Sequence, residues 1–203
     1  MYPLYNILNP KNVLGGKGVM PLPDPIRSDT DYILRSATTG AYETKANSVI
    51  SEFGCRYTDN TGVAQDVTSL VDPEFNINVL ANTDIYVSNN ANTSIWESYI
   101  DKNTNYIVLC SCIGAVRRIS DNPDGVYYVD MRNAGNLYAW GINTPNLKIL
   151  YAKATSYAIL NFCLTILGYS TVENGIVYVN PNEAYAHSVI SVARSKGWRV
   201  YYL

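Results

Sequence analysis

The last 32 residues set the tightest limit on the fold. From Val172 to Leu203 they read VENGIVYVNPNEAYAHSVISVARSKGWRVYYL. Gly175 leads into Ile176-Val177-Tyr178-Val179, a short run with the β-branched and aromatic bias of a buried strand. Asn180-Pro181-Asn182-Glu183 then carries the signals of a helix start. Asn180 suits the N-cap, Pro181 the first helical position, and Glu183 the return arm of a capping box. Ala186, Val189, Ile190 and Ala193 follow at i, i+3, i+4 and i+7, one apolar face. Arg194 and Lys196 fall in the last turn, where cations suit the helix dipole. Gly197 is placed to end the helix left-handed, and WRVYYL reads as a strand. A strand, a helix and a strand in this order predict a right-handed crossover and parallel pairing.

The preceding segment has the same grammar. Thr155 or Ser156 caps a helix through YAILNFCLTILGY, with Leu160, Cys163, Leu164 and Leu167 as its stripe and Gly168 as its stop. Further back, apolar strand positions recur. Val108, Val129, Leu150, Val179 and Tyr201 are separated by 21, 21, 29 and 22 residues, and TDIYVSNN forms a weaker member before them. Steps of about 20 to 29 residues are the leucine-rich-repeat range. Asn-, Gly- and Pro-bearing turns (SDNPDG, NAGN, NTPN) lie between the strands.

NLYAWGINTPNLKILYAKAT resembles the degenerate leucine-rich repeats of Bacteroides-type surface proteins and of related modules in their phages. The helix, then NGIVYV, then AHSVISVARSKGWRVYY, is similar to the closing cap of those modules. The resemblance covers about residues 84–203 and is best over Leu147 to Leu203. The middle repeats carry Val, Tyr and Cys where the family has Leu. The resemblance implies an α/β right-handed solenoid with parallel strands and a helix-strand-helix-strand C-terminal cap. It implies binding or scaffolding rather than catalysis. A small α/β domain with coincidental strand spacing is the other reading the residues allow.

Residues 1–30 form an expected extended anchoring arm. Prolines at 3, 10, 21, 23 and 25 and the run Gly15-Gly16-Lys17-Gly18 interrupt its apolar residues, so no regular element lasts. Residues 31–80 form a short β-rich capping region with the β-prone pieces DYILRSAT, NSVISEFGCRYT and AQDVTSLV. Residues 81–203 form the solenoid.

Composition excludes several functions. The formal net charge is −2 and 16% of residues are charged, which gives no pull toward nucleic acid. No run approaches the roughly 18 apolar residues of a membrane span. The N-terminus lacks a signal peptide's basic and apolar regions, so synthesis in a host cytoplasm is expected. Gly16-Lys17 is followed by Gly18, and Lys11 holds the place of the first P-loop glycine, so GGKG is a turn. SDNPDG lacks the EF-hand spacing. Asn92-Thr93-Ser94 is a sequon with meaning only after secretion. Cys55, Cys110, Cys112 and Cys163 have no CxxC spacing and read as buried thiols. His187, the one histidine, reads as a partly buried structural residue beside the last helix's stripe. No carboxylate pair, nucleophile motif or cofactor signature is present, so no catalytic, metal or cofactor residue is expected.

Tyrosine is abundant, 18 residues against 3 Phe. An apolar ring with a polar tip suits half-buried strands and wet interfaces. The expected partner contacts are Tyr2, Tyr5, Leu14 and Met20 on the arm, and Tyr127, Tyr138, Trp140 and Tyr151 on the repeats. The arm, the missing export signal and the short chain together point to a non-enzymatic bacteriophage virion protein, a capsid- or tail-attached fibre or decoration component. Its partners would be other virion proteins, further copies of itself, and a host-surface glycan or protein. A bacterial repeat module for protein–protein interaction or adhesion is the alternative. An enzyme on a small α/β scaffold would have to depend on His187.

Overall fold

A computed structural model describes residues 30–47, 53–70, 74–89, 97–111, 114–118 and 125–203. The expected arm, with Tyr2, Tyr5, Leu14 and Met20, lies outside the described residues, as do Cys112, the sequon and most of SDNPDG.

Two layers enclose the core. The large sheet has nine strands. In spatial order they are β14 (Arg199–Tyr202), β13 (Ile176–Val179), β12 (Ile149–Tyr151), β10 (Tyr128–Asp130), β8 (Thr104–Leu109), β1 (Thr30–Ser36), β6 (Ile85–Asn89), β3 (Phe53–Thr58) and β4 (Ala64–Leu70). The small sheet runs β11 (Leu137–Trp140), β9 (Gly114–Arg118), β7 (Glu97–Ile100), β2 (Gly40–Asn47) and β5 (Glu74–Val79). Helices α1 (Tyr157–Tyr169) and α2 (Ala186–Ser195) complete the second layer. Leu34, Ile107, Val129 and Leu150 of the large sheet share one buried cluster with Tyr42, Ile100, Val116 and Leu137 of the small sheet, and with Cys163 and Val189 of the helices.

The fold is α/β, and the large sheet changes character at β8. From β8 to β14 every pairing is parallel. Between successive parallel strands the chain visits the opposite layer once, as β9, β11, α1 and then α2. On the other side, β1 pairs antiparallel with β8 and β6, and β6 and β4 flank β3 antiparallel. Residues on either side of position 80 thus share one sheet. Three expected strands of the N-terminal part form as β1, β3 and β4. TDIYVSNN becomes β6, but it pairs antiparallel with β1 and β3 and stands outside the parallel series. β1 has displaced it from the flank of β8.

The core-facing series in register is Ile107, Val129, Leu150, Val177 and Val200. Val108 and Val179, expected in that series, sit one and two residues off it. Tyr201 pairs with Tyr178 instead. The strands themselves lie where expected. Their register is poorly marked in the sequence because runs such as YIVL and IVYV are apolar on both faces, so alternation does not say which residue faces in.

The first helix follows its signals. Ser156 is the N-cap and its Oγ accepts from the Ile159 amide. Gly168 does not stop it; the helix runs to Tyr169, and the Ser170 amide donates to the Ile166 carbonyl. The second helix starts later than Asn180-Pro181 suggests. Asn180 Oδ1 accepts from the Asn182 amide in a turn, while Glu183 turns outward from the helix to accept the Ala154 amide. α2 begins at Ala186 with no side-chain cap, yet it buries the expected Ala186, Val189, Ile190 and Ala193. Gly197 adopts φ +74° and the Trp198 amide returns to the Ala193 carbonyl. No helix among the described residues is long and apolar enough to cross a membrane.

Trp198 locks the closing unit. Its ring is buried and its Nε1 donates to the Val172 carbonyl at 2.8 Å. A Cβ on Gly175 would stand 2.4 Å from that ring, too close for any contact. Gly175→Ala should therefore lower stability by about 1–3 kcal/mol, the usual cost of overpacking. Gly168→Ala, with open space around it, should be neutral or raise stability by up to about 1 kcal/mol. Urea unfolding of both variants tests the pair; equal midpoints would contradict this packing.

Candidate functional site

Alternation along the parallel strands puts a second set of side chains on the outer face of the large sheet. Tyr106 lies opposite Tyr128, and Tyr151 opposite Tyr178, which lies opposite Tyr201. Their rings form a ladder across five strands. Tyr106 and Tyr128 stack at 4.3 Å and 14°, Tyr151 and Tyr178 at 4.3 Å and 7°, and Tyr178 and Tyr201 at 5.4 Å and 25°. The one loose step, Tyr128 to Tyr151, is 5.8 Å and tilted 47°. It falls where the backbone partner of Tyr128 is Ile149 and that of Tyr151 is Asp130, so the two rings meet diagonally.

Arginines lie against this ladder. The Arg132 guanidinium is 4.0 Å from the Tyr151 ring centre and is held by buried Asp130 at 2.6 Å. The Arg35 guanidinium is 4.1 Å from Tyr106 and pairs with Asp84. Arg56 approaches Tyr86 at 5.5 Å. A guanidinium on a ring face adds roughly 0.5–2 kcal/mol, more as water is excluded. Each carboxylate fixes its arginine in place.

The ladder is buried. Ile33 and Tyr151 are 0% exposed, Val108 and Tyr128 1%, Tyr106 2% and Tyr178 6%. Burial raises the phenol pKa throughout, to about 12 for Tyr86, with neighbouring Asp84 adding to the rise, and upward for Tyr106, Tyr128, Tyr151 and Tyr178. The rings are neutral packing surfaces with no phenolate to offer as a base.

The expected contact residues do not share a face. Tyr151 belongs to the ladder and Tyr127 packs against it. Trp140 is a correction: it is buried in the main core, 7% exposed, because the pairing of β11 slips between Leu137 and Ala139 and turns it inward. Tyr138 stands out at 63% exposure. His187 is a second correction. It is exposed on α2, since the apolar stripe of that helix passes beside it. Cys55, Cys110 and Cys163 are buried, and the Cys163 thiol donates to the Lys153 carbonyl at 3.2 Å. Among the described residues no three His, Cys, Asp or Glu side chains stand together to hold a metal ion. The ladder itself was missed as a site. Its signal was a tyrosine beside the core position of each strand, legible only once the register is known.

No family model matches the chain, and no match was found to a curated protein or a solved structure.

Two predictions follow from this burial. The Tyr151 hydroxyl is buried beside that of Tyr178. Tyr151→Phe should change stability by no more than about 1 kcal/mol, while Tyr151→Ala should cost about 3–5 kcal/mol, read from urea unfolding. The neutral phenols and the thiols of Cys55 and Cys163, both pushed up to about 12, carry the pH dependence. Their pKa values are higher folded than unfolded, so the stability they contribute is intact below the unfolded values of about 9 to 10 and falls as pH rises beyond them. The urea midpoint should hold from pH 7 to 8.5 and drop by pH 10.5; a flat profile would contradict the burial.

Proposed function

We propose that the chain is a non-enzymatic structural component of a bacteriophage particle, built on a leucine-rich-repeat-like scaffold. One observation carries the reading. Among the described residues, several groups of the kind chemistry would need are spent on structure, while the repeating strands stack one kind of ring. Asp130 holds Arg132, Glu183 holds the Ala154 amide and Cys163 holds the Lys153 carbonyl. What is repeated along the parallel strands is packing, the property a scaffold requires. The 22- and 21-residue steps from Ile107 to Val129 to Leu150, each returning through the opposite layer, support the repeat-module part of the reading.

Self-association belongs to the same proposal. Among the described residues β14 ends the large sheet with no neighbour on its outer side, and Tyr202 and Leu203 are exposed there. An uncovered strand edge is a template for another chain. A second copy is the occupant proposed. Light scattering should give a mass above the monomer, reduced to the monomer by Tyr202→Lys.

Peptide mass spectrometry on density-purified phage particles tests the main proposal. Fixed stoichiometry with the major capsid protein is the expected result. Absence from particles, with presence in host fractions, would overturn it in favour of a bacterial interaction module.

A further inference from the structure

Two structural demands meet at residues 174 and 175. Glu173 and Asn174 form the turn that enters β13, and Asn174 stands there exposed at φ +61°. That left-handed conformation admits glycine and, among residues with a side chain, asparagine most readily. Gly175 answers a different demand. Any Cβ on it would lie 2.4 Å from the Trp198 ring, so this position accepts no side chain. The fold thereby sets an asparagine directly before a glycine, a pair that occurs nowhere else in the sequence.

The pair is chemically unstable. No Cβ on Gly175 crowds its amide nitrogen. Once that nitrogen gives its proton to hydroxide, it can attack Cγ of the Asn174 carboxamide. The Cγ–Nδ2 bond then breaks, and Nδ2 leaves as ammonia with a proton from water. A five-membered imide remains. Water opens it at Cγ to give aspartate, or at the backbone carbonyl to give isoaspartate. Asn82 is the internal comparison. It shares the left-handed conformation at φ +59°, but Thr83 follows it, and a branched side chain crowds the attacking nitrogen.

The folded turn holds the reaction back. At such a φ the allowed ψ lies between about 0° and +60°. The Gly175 nitrogen then points away from the Asn174 Cβ, whereas ring closure needs the two eclipsed. Reaction therefore waits for the turn to open, and the isoaspartate product cannot close it again. Its main chain runs through Cβ and Cγ, one carbon longer before Gly175. Both sides of that point are pinned to one ring: the Val172 carbonyl accepts from Trp198 Nε1 at 2.8 Å, and Gly175 lies against the indole. Just beyond, the Gly175 carbonyl accepts the Arg199 amide and the Ile176 amide donates to the Lys148 carbonyl. No slack remains to take up an added carbon.

We propose that Asn174 is a self-modifying site: it converts to isoaspartate through openings of the 172–175 turn, and the product unlocks Trp198 and loosens β13 and β14. The chemistry needs only water and hydroxide, and it holds whether or not the chain is part of a particle.

The test ages the full chain at mildly alkaline pH, folded and in urea, and reads each asparagine by electron-transfer mass spectrometry, which separates isoaspartate from aspartate. Isoaspartate should form at Asn174 ahead of every other asparagine, Asn82 included. In the folded chain it should form at least about tenfold more slowly than in urea, since opening must come first. The isoaspartate form, isolated by its added negative charge, should unfold at lower urea than Asn174→Asp, which carries that charge on an unaltered backbone. No isoaspartate at position 174 of the folded chain, an equal rate in both states, or a midpoint equal to that of Asn174→Asp would each overturn the proposal.

Discussion

Everything in the parallel half depends on strands whose two faces are both apolar and which are held in one register. Ile107, Val129, Leu150 and Val177 point into the core, all fully buried, while the residue beside each carries the outer face. Slipping any strand by one residue would exchange a core aliphatic for a ladder tyrosine and unstack the rings on both sides. The rings also raise the reward for correct register. Each buries on the order of 150–250 Å², worth several kcal/mol at about 25 cal/mol per Å². Their hydroxyls must stay neutral in return.

This constraint explains the junction and the end of the fold. β1 closes the parallel series on one side by pairing antiparallel with β8, and Arg35 on β1 covers the first ladder ring. Across the layers, the Tyr42 hydroxyl and Thr104 Oγ1 share a buried hydrogen bond at 2.7 Å that ties the small sheet to β8. The second layer changes from strand to helix after β11, and the 13-residue α1 lies within the widest step, Leu150 to Val177. At the far end Gly175 makes room for Trp198, whose ring seals the last turn against Val172. Tyr138, Tyr157 and Tyr202 stay exposed outside this packing.

Local signals in the sequence were legible where one residue settles one geometry. Ser156 capped its helix, Gly197 took its left-handed turn, and the i, i+3, i+4, i+7 stripe of α2 was buried as read. Asn180-Pro181 misled because its turn closes before the helix, and Glu183 was drawn away by the Ala154 amide, a partner 29 residues distant. β9 and β11 were invisible because four or five residues carry too little periodicity to declare a layer. The ladder required register, and a strand apolar on both faces does not declare its register from its own residues. Trp140 was lost to a slip in pairing that no local pattern marks.

The central claim is that the outer face of the large sheet is as closed as the core. Residue-resolved nitration of the full chain with tetranitromethane, read by peptide mass spectrometry, tests it most directly. Tyr138 and Tyr157, both more than half exposed, should react. Tyr128 and Tyr151 should stay unmodified until the chain unfolds. Nitration of Tyr151 at the rate of Tyr138 in folded protein would contradict the account.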